Sequence, residues 1–431
     1  MSKSMSNRKT SVAVIAMLVC LLATSALALD TTLHGFLDIR GGVRTQSDPY
    51  EDDRSLSEAR LQLDALTYFN WGEIQARGDF VYDDLDAMRD DVDLETGGGF
   101  FDLREFNASF TPVYWADLKV GRQILTWGTG DLLFINDLFP KDWNSFLLGR
   151  QTEYLKAPSD AVYASFFPSF GSLDVAYTPR FDADRYVDGS RVSYWNPVPP
   201  PGNLAGENAI IEADQRDEWF ENGELSARFY RDYHGFETAL YVYHGYWKSP
   251  QGFDLGTMNP YFPALNAYGA STKGLLGSGL FHLEMGYYDS RETDDANKIA
   301  PHDEVRFLMG YEREINQGLT ASIQYYLERM LDYSEYFEAS LNPATARDET
   351  RHVLTLRLSK MLMNQNLILG LFTFYSPSDQ DGYFRPNATY KTSDNWALSA
   401  GGNVFVGTNE HTFFGQFKNN SNVNLSVRYS F

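Results

Sequence analysis

The chain has 431 residues, 58 acidic and 36 basic, for a net charge of −22. That acidity excludes nucleic acid as a partner, and the single cysteine, Cys20, excludes a disulfide framework. Aromatic residues make up 15% of the chain, yet mean hydropathy is −0.37. Strands with one oily and one wet face reconcile the two.

Lys3, Arg8 and Lys9 form a basic start, residues 11–23 are apolar, and Ala26-Leu27-Ala28 offers a small-x-small cleavage site. This reads as a signal peptide over 1–28, removed after Ala28. Cleavage takes three basic residues away and leaves −25, starting at Leu29. Cys20 lies in the leader without a lipobox around it, so the mature chain has no thiol for metal or nucleophilic chemistry. No later run approaches the roughly 18 apolar residues that a spanning helix needs.

From Leu33 onward, alternating segments predict strands near 33–45, 56–69, 72–82, 102–111, 117–126, 160–167, 172–179, 223–231 and 235–247. They continue near 266–275, 279–289, 303–313, 319–331, 350–361, 366–375, 382–392, 395–407 and 421–431. Connections are alternately tight, as at 70–71 and 276–278, and long and polar, as at 47–55, 83–101, 127–159 and 180–222. Short turns at one end and long loops at the other predict an all-β fold: a transmembrane antiparallel up-and-down β-barrel of about 18 strands. Sixteen is the alternative, because strands 10, 16 and 17 are weakly patterned. An even count places both termini at the periplasmic end. A soluble sandwich of so many strands would need too large a core.

The faces follow by parity. Leu61, Leu63, Ala65, Thr67 and Phe69 should meet lipid, as should Phe281, Leu283, Met285 and Tyr287. Arg60, Gln62, Asp64, His282, Glu284, Gln324 and Glu328 should point inward. Aromatic pairs at the short turns, namely Phe69 and Trp71, Tyr114 and Trp115, Phe166 and Phe167, and Tyr230 and Tyr233, predict an interfacial girdle.

The loop 83–101 carries Asp83, Asp84, Asp86, Asp90, Asp91, Asp93 and Glu95, opposed by Arg89. It lacks the D-x-D-x-D-G order of a calcium loop. Its carboxylates suit the attraction of cations, or divalent bridges to lipopolysaccharide. The loop 127–159 is apolar for a loop, with Leu132-Leu133-Phe134-Ile135 and a run from Trp143 to Leu148. It should fold inward and narrow a pore, with Asp131, Asp137, Lys141, Asp142, Trp143, Arg150 and Glu153 at the constriction. A cap over the barrel mouth, or a contact with a neighbouring subunit, is the other reading. The stretch Asn196–Gly202, with Pro197 and Pro199–Pro201, stiffens a further loop.

The run leading into the apolar loop, Gly121-Arg122-Gln123-Ile124-Leu125-Thr126-Trp127-Gly128, resembles a signature of a family of uncharacterised proteobacterial outer-membrane barrels. In that family a proline-containing loop follows, a part open to Pro140 and Pro158. The carboxy-terminal strand Ser421–Phe431 alternates strictly and ends on phenylalanine. It resembles the closing strand by which the insertion machinery recognises such barrels, with Phe431 as the signal. Both resemblances imply a porin-like protein in the outer membrane of a Gram-negative bacterium, and neither names a solute.

Charges that read inward are Arg40, Arg60, Arg77, Arg122, Arg228, Arg306 and Arg357, faced by Asp64, Glu284 and Glu328 among others. Opposed rows would orient polar solutes, or simply neutralise one another. Arg122 shares parity with Leu118 and Val120, so either a bulge turns it inward or it lies above the membrane beside the loop. The seven histidines show no motif, and no nucleophile elbow, zinc-protease or phosphate-loop pattern occurs. No cofactor and no enzymatic activity are expected. The function expected is passive diffusion of small hydrophilic solutes or ions. The alternative is a barrel scaffold or receptor, such as the sheath of an electron-transfer conduit or a surface-binding protein. Lipid bilayer, lipopolysaccharide and insertion machinery are the implied partners, with monomer and homotrimer both open.

Overall fold

The computed structural model describes residues 30–88, 90–197, 202–292, 298–340 and 342–431. The leader over 1–28, Arg89 and the Pro199–Pro201 run lie outside the described residues.

Eighteen strands form one sheet closed on itself. In chain order they are β1 (Asp30–Arg44), β2 (Arg54–Phe69), β3 (Gly72–Asp83), β4 (Phe101–Val113), β5 (Ala116–Gln123) and β6 (Ser159–Phe166). Next come β7 (Ser172–Thr178), β8 (Glu224–Tyr233), β9 (Phe236–Tyr246), β10 (Ala264–Leu276), β11 (Gly279–Ser290) and β12 (Glu304–Asn316). The last six are β13 (Leu319–Met330), β14 (Thr350–Leu362), β15 (Leu367–Ser376), β16 (Asp381–Lys391), β17 (Trp396–Gly407) and β18 (Asn422–Ser430). Each pairs antiparallel with its sequence neighbours, and β1 closes on β18 from Phe36↔Ser430 to Arg44↔Asn422. Closure leaves no sheet edge for another chain to add to. Eighteen is the count expected from the alternation of short and long connections, and the sixteen-strand alternative falls.

Strand β5 stops at Gln123, short of the expected 126, because the backbone leaves the wall there to enter the barrel. The turn 234–235 holds both residues at positive φ, 53° and 83°, as a two-residue hairpin between right-twisted strands prefers. Phe431 exchanges both backbone hydrogen bonds with Gly35 at 3.0 Å, so the carboxy-terminal residue is stitched to β1 at the short-turn end.

Of the residues expected to face lipid, Met285, Ile323, Val423, Leu425 and Val427 are each at least 40% exposed, while Leu61, Leu63, Ala65, Thr67, Phe69, Phe281 and Leu283 are half-buried. Their inward neighbours Glu284, Gln324 and Ser322 are buried. Aromatics gather at the short turns as expected, with Phe69 stacked on Trp71 at 5.3 Å and Trp115 on Phe166 at 6.0 Å. Tyr230 is a correction. It lies on the inner face with Glu224, Ser226 and Arg228, and its ring receives the Arg228 guanidinium at 4.2 Å.

Arg122 is also corrected as a lumen charge. It pairs across β5 with Phe106 and Asp160 on the face that exposes Val120 and Val162, so parity turns it outward. It sits at the long-loop end. There its guanidinium binds Asp160 at 3.0 Å, the Leu103 carbonyl at 2.7 Å and the Leu94 carbonyl of loop 84–100. No bulge is needed, because that rim position supplies the polar partners.

Candidate functional site

The segment 124–158 lies inside the barrel and runs round its inner wall. Leu125, Trp127 and Phe139 first pack on Ala161, Ala176, Ala239 and Tyr241, inward residues of β6, β7 and β9. The chain then crosses toward β11–β14. There the Glu284 carboxylate accepts from Thr129 N (2.8 Å), Thr129 Oγ1 (3.0 Å), Gly130 N (3.2 Å), Asn136 N (2.8 Å) and Asn136 Nδ2 (2.9 Å). Successive backbone N–H groups around one carboxylate make a small anion nest. Gly128, at φ 82°, supplies the left-handed turn that opens it. Gly269 leaves room opposite, because a Cβ there would meet Asn136 Oδ1 at 1.6 Å.

Further on, the Gln324 amide accepts from Asp131 N at 2.8 Å and donates to Asp131 O at 3.0 Å. Asp131 Oδ2 meets Arg357 Nε at 2.9 Å. Arg357 is on β14, nine strands from β5 in a ring of eighteen, so the segment spans the barrel's width.

The return path is helical at first. Helix α1 (Trp143–Leu148) starts at Asp142, whose carboxylate accepts from Ser145 N at 2.7 Å. It ends on Gly149 in the left-handed conformation. Its apolar side meets inward residues of the wall: Phe146 packs edge-on to Tyr383 at 5.4 Å, within a cluster holding Leu56, Leu308, Phe374 and Phe405. Arg40 donates to Gly149 O at 2.9 Å and Arg385 to Arg150 O at 2.6 Å. Arg150 pairs with Glu58 at 2.7 Å. Tyr154 donates to Asp79 at 2.9 Å beneath the Arg60 guanidinium, which stands 4.4 Å above its ring.

A second layer covers the first at the long-loop end. Asp184, in the loop after β7, accepts from Lys141 N (2.7 Å) and Trp143 Nε1 (2.9 Å). Burial pushes its carboxyl above the ordinary value, against the opposing pull of Lys141. Arg185 forks onto Asp102 at 2.8 and 2.9 Å. Burial alone would lower its pKa, but the Asp102 carboxylate outweighs that and raises it.

The expected constriction residues therefore divide. Asp137, Lys141 and Asp142 are buried and hold the segment's own fold, Lys141 bonding Asp137 at 3.0 Å. Trp143 and Arg150 are half-buried contacts to the second layer and to the wall. Asp131, on Arg357, and Glu153 stay partly exposed, with side-chain exposures of 24% and 55%. The expected lumen charges divide likewise. Arg40, Arg60, Glu284 and Glu328 are buried, and Arg306 lies on the Tyr288 ring between Glu304 and Glu328. Arg77 with Asp64 (2.7 Å), Arg228 with Asp174 (2.8 Å), and Arg357 with Asp131 and Glu312 stay partly open to the lumen.

Sequence reasoning missed the apolar inner wall formed by Tyr288, Leu308, Phe374, Tyr383 and Phe405. Their parity is inward, but residue type alone does not separate them from aromatics that meet lipid. Of the acids in loop 84–100, Asp86 accepts from Met88 N and Gly99 N and Asp93 from Glu95 N and Thr96 N, while Asp84 pairs with Arg54 at 2.7 Å and Glu95 with Arg180. Among the described residues, no group of three or more His, Cys, Asp or Glu is placed to hold a metal ion.

No protein-family model matches the chain, and no curated protein matches it in sequence. Its backbone is similar to solved structures from Pseudomonas aeruginosa. OccK2 (OpdF), solved in complex with glucuronate, superposes with a TM-score of 0.55 at 11% identity, covering 93% of this chain and 98% of that one. OccK3 (OpdO) gives 0.54 at 11%, covering 93% and 96%, and OccD3 (OpdP) gives 0.54 at 10%, covering 93% and 91%. At such identity the likeness is one of fold: the chain is built as the same kind of closed antiparallel β-barrel as these proteins.

Proposed function

We propose that the protein is an outer-membrane channel that passes small hydrophilic solutes or ions by passive diffusion, its bore set by the segment 124–158. The observation that carries this is the crossing of that segment from β5 to Glu284, Gln324 and Arg357. It leaves partly exposed charges of both signs, Asp131, Arg357 and Glu312 on one side and Arg77, Asp64 and Glu153 on the other, to orient a polar solute. A sheath for a second protein needs an empty lumen, so this placement favours the channel over the conduit reading.

The rest of the reading follows from an exported barrel. A leader removed after Ala28 delivers the chain, Phe431 serves as the insertion signal, and the acidic loops bridge to lipopolysaccharide through divalent ions. Single-channel recording of the folded protein in planar bilayers tests the proposal. Discrete current steps are expected, larger when residues 132–148 are deleted from an intact barrel. A folded barrel silent at every voltage overturns the channel, and unchanged steps after the deletion overturn the role of the segment.

A further inference from the structure

At the long-loop end, above the crossing segment, lies a cavity of about 710 Å³. That is within the roughly 300–1,000 Å³ of sites that take small organic ligands. Its floor is made by Leu132, Leu133, Phe134 and Trp143, all only half-buried, and one side by Phe413, which is 46% exposed. Open apolar surface of this kind gains by covering itself with an apolar body. The rings also bear positive charge. Lys141 stands 4.7 Å from the Phe134 centroid and the Arg351 guanidinium 4.6 Å from that of Phe413. The negative face of an aromatic ring attracts a cation, so these walls suit one.

The charges at the cavity leave acid in excess. Each lysine and arginine that lines it has a carboxylate of its own. Lys141 meets Asp137 at 3.0 Å, Lys248 meets Glu224 at 2.7 Å, Arg306 meets Glu304 at 2.6 Å and Arg351 meets Asp379 at 2.6 Å. Arg347 pairs with Glu328. Asp184 and Asp348 line the cavity as well, and among the described residues neither is paired with a lysine or arginine side chain. Asp184 is buried and accepts from Lys141 N, Trp143 Nε1 and Ser249 Oγ, all uncharged donors. Asp348 is exposed. The excess is therefore local to two places. At the floor Asp137 and Asp184 face the single charge of Lys141. Around Asp348, it and Glu304, Glu328 and Asp379 face Arg306, Arg347 and Arg351. A cation entering here regains a counter-charge for the hydration it gives up, whereas an anion adds to the excess.

We propose that this cavity is a capture site for small organic cations, a protonated amine borne on an apolar body. The apolar floor covers the body, and the unpaired carboxylates hold the amine. The proposal rests on the channel reading only for the direction from which the solute arrives. Binding is measured without current, so the two stand or fall separately.

Calorimetric titration of the protein in nanodiscs of zwitterionic lipid, with empty nanodiscs subtracted, tests it with 2-naphthylmethylamine, 2-naphthylmethanol and 2-naphthoate, which share one apolar body. His411 also lines the cavity, so the titration is run at about pH 8, where an ordinary imidazole is neutral. The amine should bind about tenfold or more tightly than the naphthoate, with the alcohol between them. Asp348→Asn, at an exposed position, should weaken the amine about threefold or more and leave the alcohol unchanged. Phe413→Ala should weaken the amine and the alcohol alike. Equal affinity for all three compounds, or an amine affinity unmoved in Asp348→Asn, overturns the proposal. Displacement of the amine by an equal concentration of magnesium chloride would assign the site to bare charge and overturns it as well.

Discussion

Glu284→Ala should release the segment that spans the lumen. The carboxylate is fully buried and accepts five hydrogen bonds, three of them from the backbone N–H groups of Thr129, Gly130 and Asn136. Removing it leaves those donors unsatisfied at about 1–3 kcal/mol each. Water entering the vacated space recovers part of this, so about 3 kcal/mol is a fair net loss. At 1.4 kcal/mol per factor of ten, the ratio of docked to undocked segment falls by about a hundredfold. Gln324 and the apolar contacts of Ile135 and α1 remain, so the segment should flicker instead of leaving the wall for good. Glu284→Gln should be intermediate: its amide keeps one accepting oxygen but turns an NH2 group toward an N–H donor. Single-channel currents at fixed salt should show higher mean conductance and excess noise in Glu284→Ala, with heat-modifiable electrophoretic mobility confirming a folded barrel. Currents and noise equal to wild type in that folded barrel would falsify the anchoring argument.

Arg357 is 43% exposed in the lumen between Asp131 and Glu312, so Arg357→Gln leaves both acids unopposed. The cation-to-anion permeability ratio should rise about twofold or more, read as a shifted reversal potential in a salt gradient; an unmoved potential refutes it. Glu51, in the loop 45–53, packs beside Gly206 with its carboxyl pushed to about 8 from an ordinary 4.5, because burial outweighs the pull of Arg44. The closed loop thus keeps a proton that an open one gives up, so closure is favoured at low pH and weakens as pH rises from about 4.5 to about 8. Nicking of loop 45–53 by protease should increase from pH 6 to pH 9 in wild type and stay flat in Glu51→Gln; equal pH profiles refute the assignment. Arg185→Met breaks the two-pronged bond to buried Asp102 and should cost the second loop layer about 3 kcal/mol, the low end for such a loss because Arg104 stays 3.5 Å from Asp102. Unchanged hydrogen exchange in residues 181–187 would count against it.

The strands were legible because a membrane imposes period two on every segment that crosses it. Leu319–Met330 alternates so strictly that Ile323 outward and Ser322, Gln324 and Glu328 inward could be assigned from parity alone. The short turns were legible from their length, and the inward-folded loop from an apolar content that water would not tolerate. What was not legible was where that loop docks. Along their own strands Tyr288, Tyr383 and Phe405 share the inward face with polar residues such as Ser290, Asp381 and Asn403, and by residue type each could equally meet lipid. Only the apolar face of 132–148, brought from far along the chain, gives them a reason to point into the lumen. Tyr230 misled in the same way, an aromatic near a short turn whose partner is the inward Arg228.

Parity also could not separate two kinds of inward charge. Arg60 and Arg357 both point into the barrel, but Arg60 lies over the Tyr154 ring between Glu58 and Asp79, sealed by the segment that crosses the lumen. Arg357 meets the same segment only at its edge, through Asp131, and keeps its contact with water. Burial makes the Arg60 cluster unforgiving: deleting one partner strands a buried charge, and the loss should appear as instability of the docked segment. Exposure makes the Arg357 cluster adjustable, since its charges already see solvent and their net value sets the local field. The path of one loop therefore determines which charges on the wall are structural and which act on a solute.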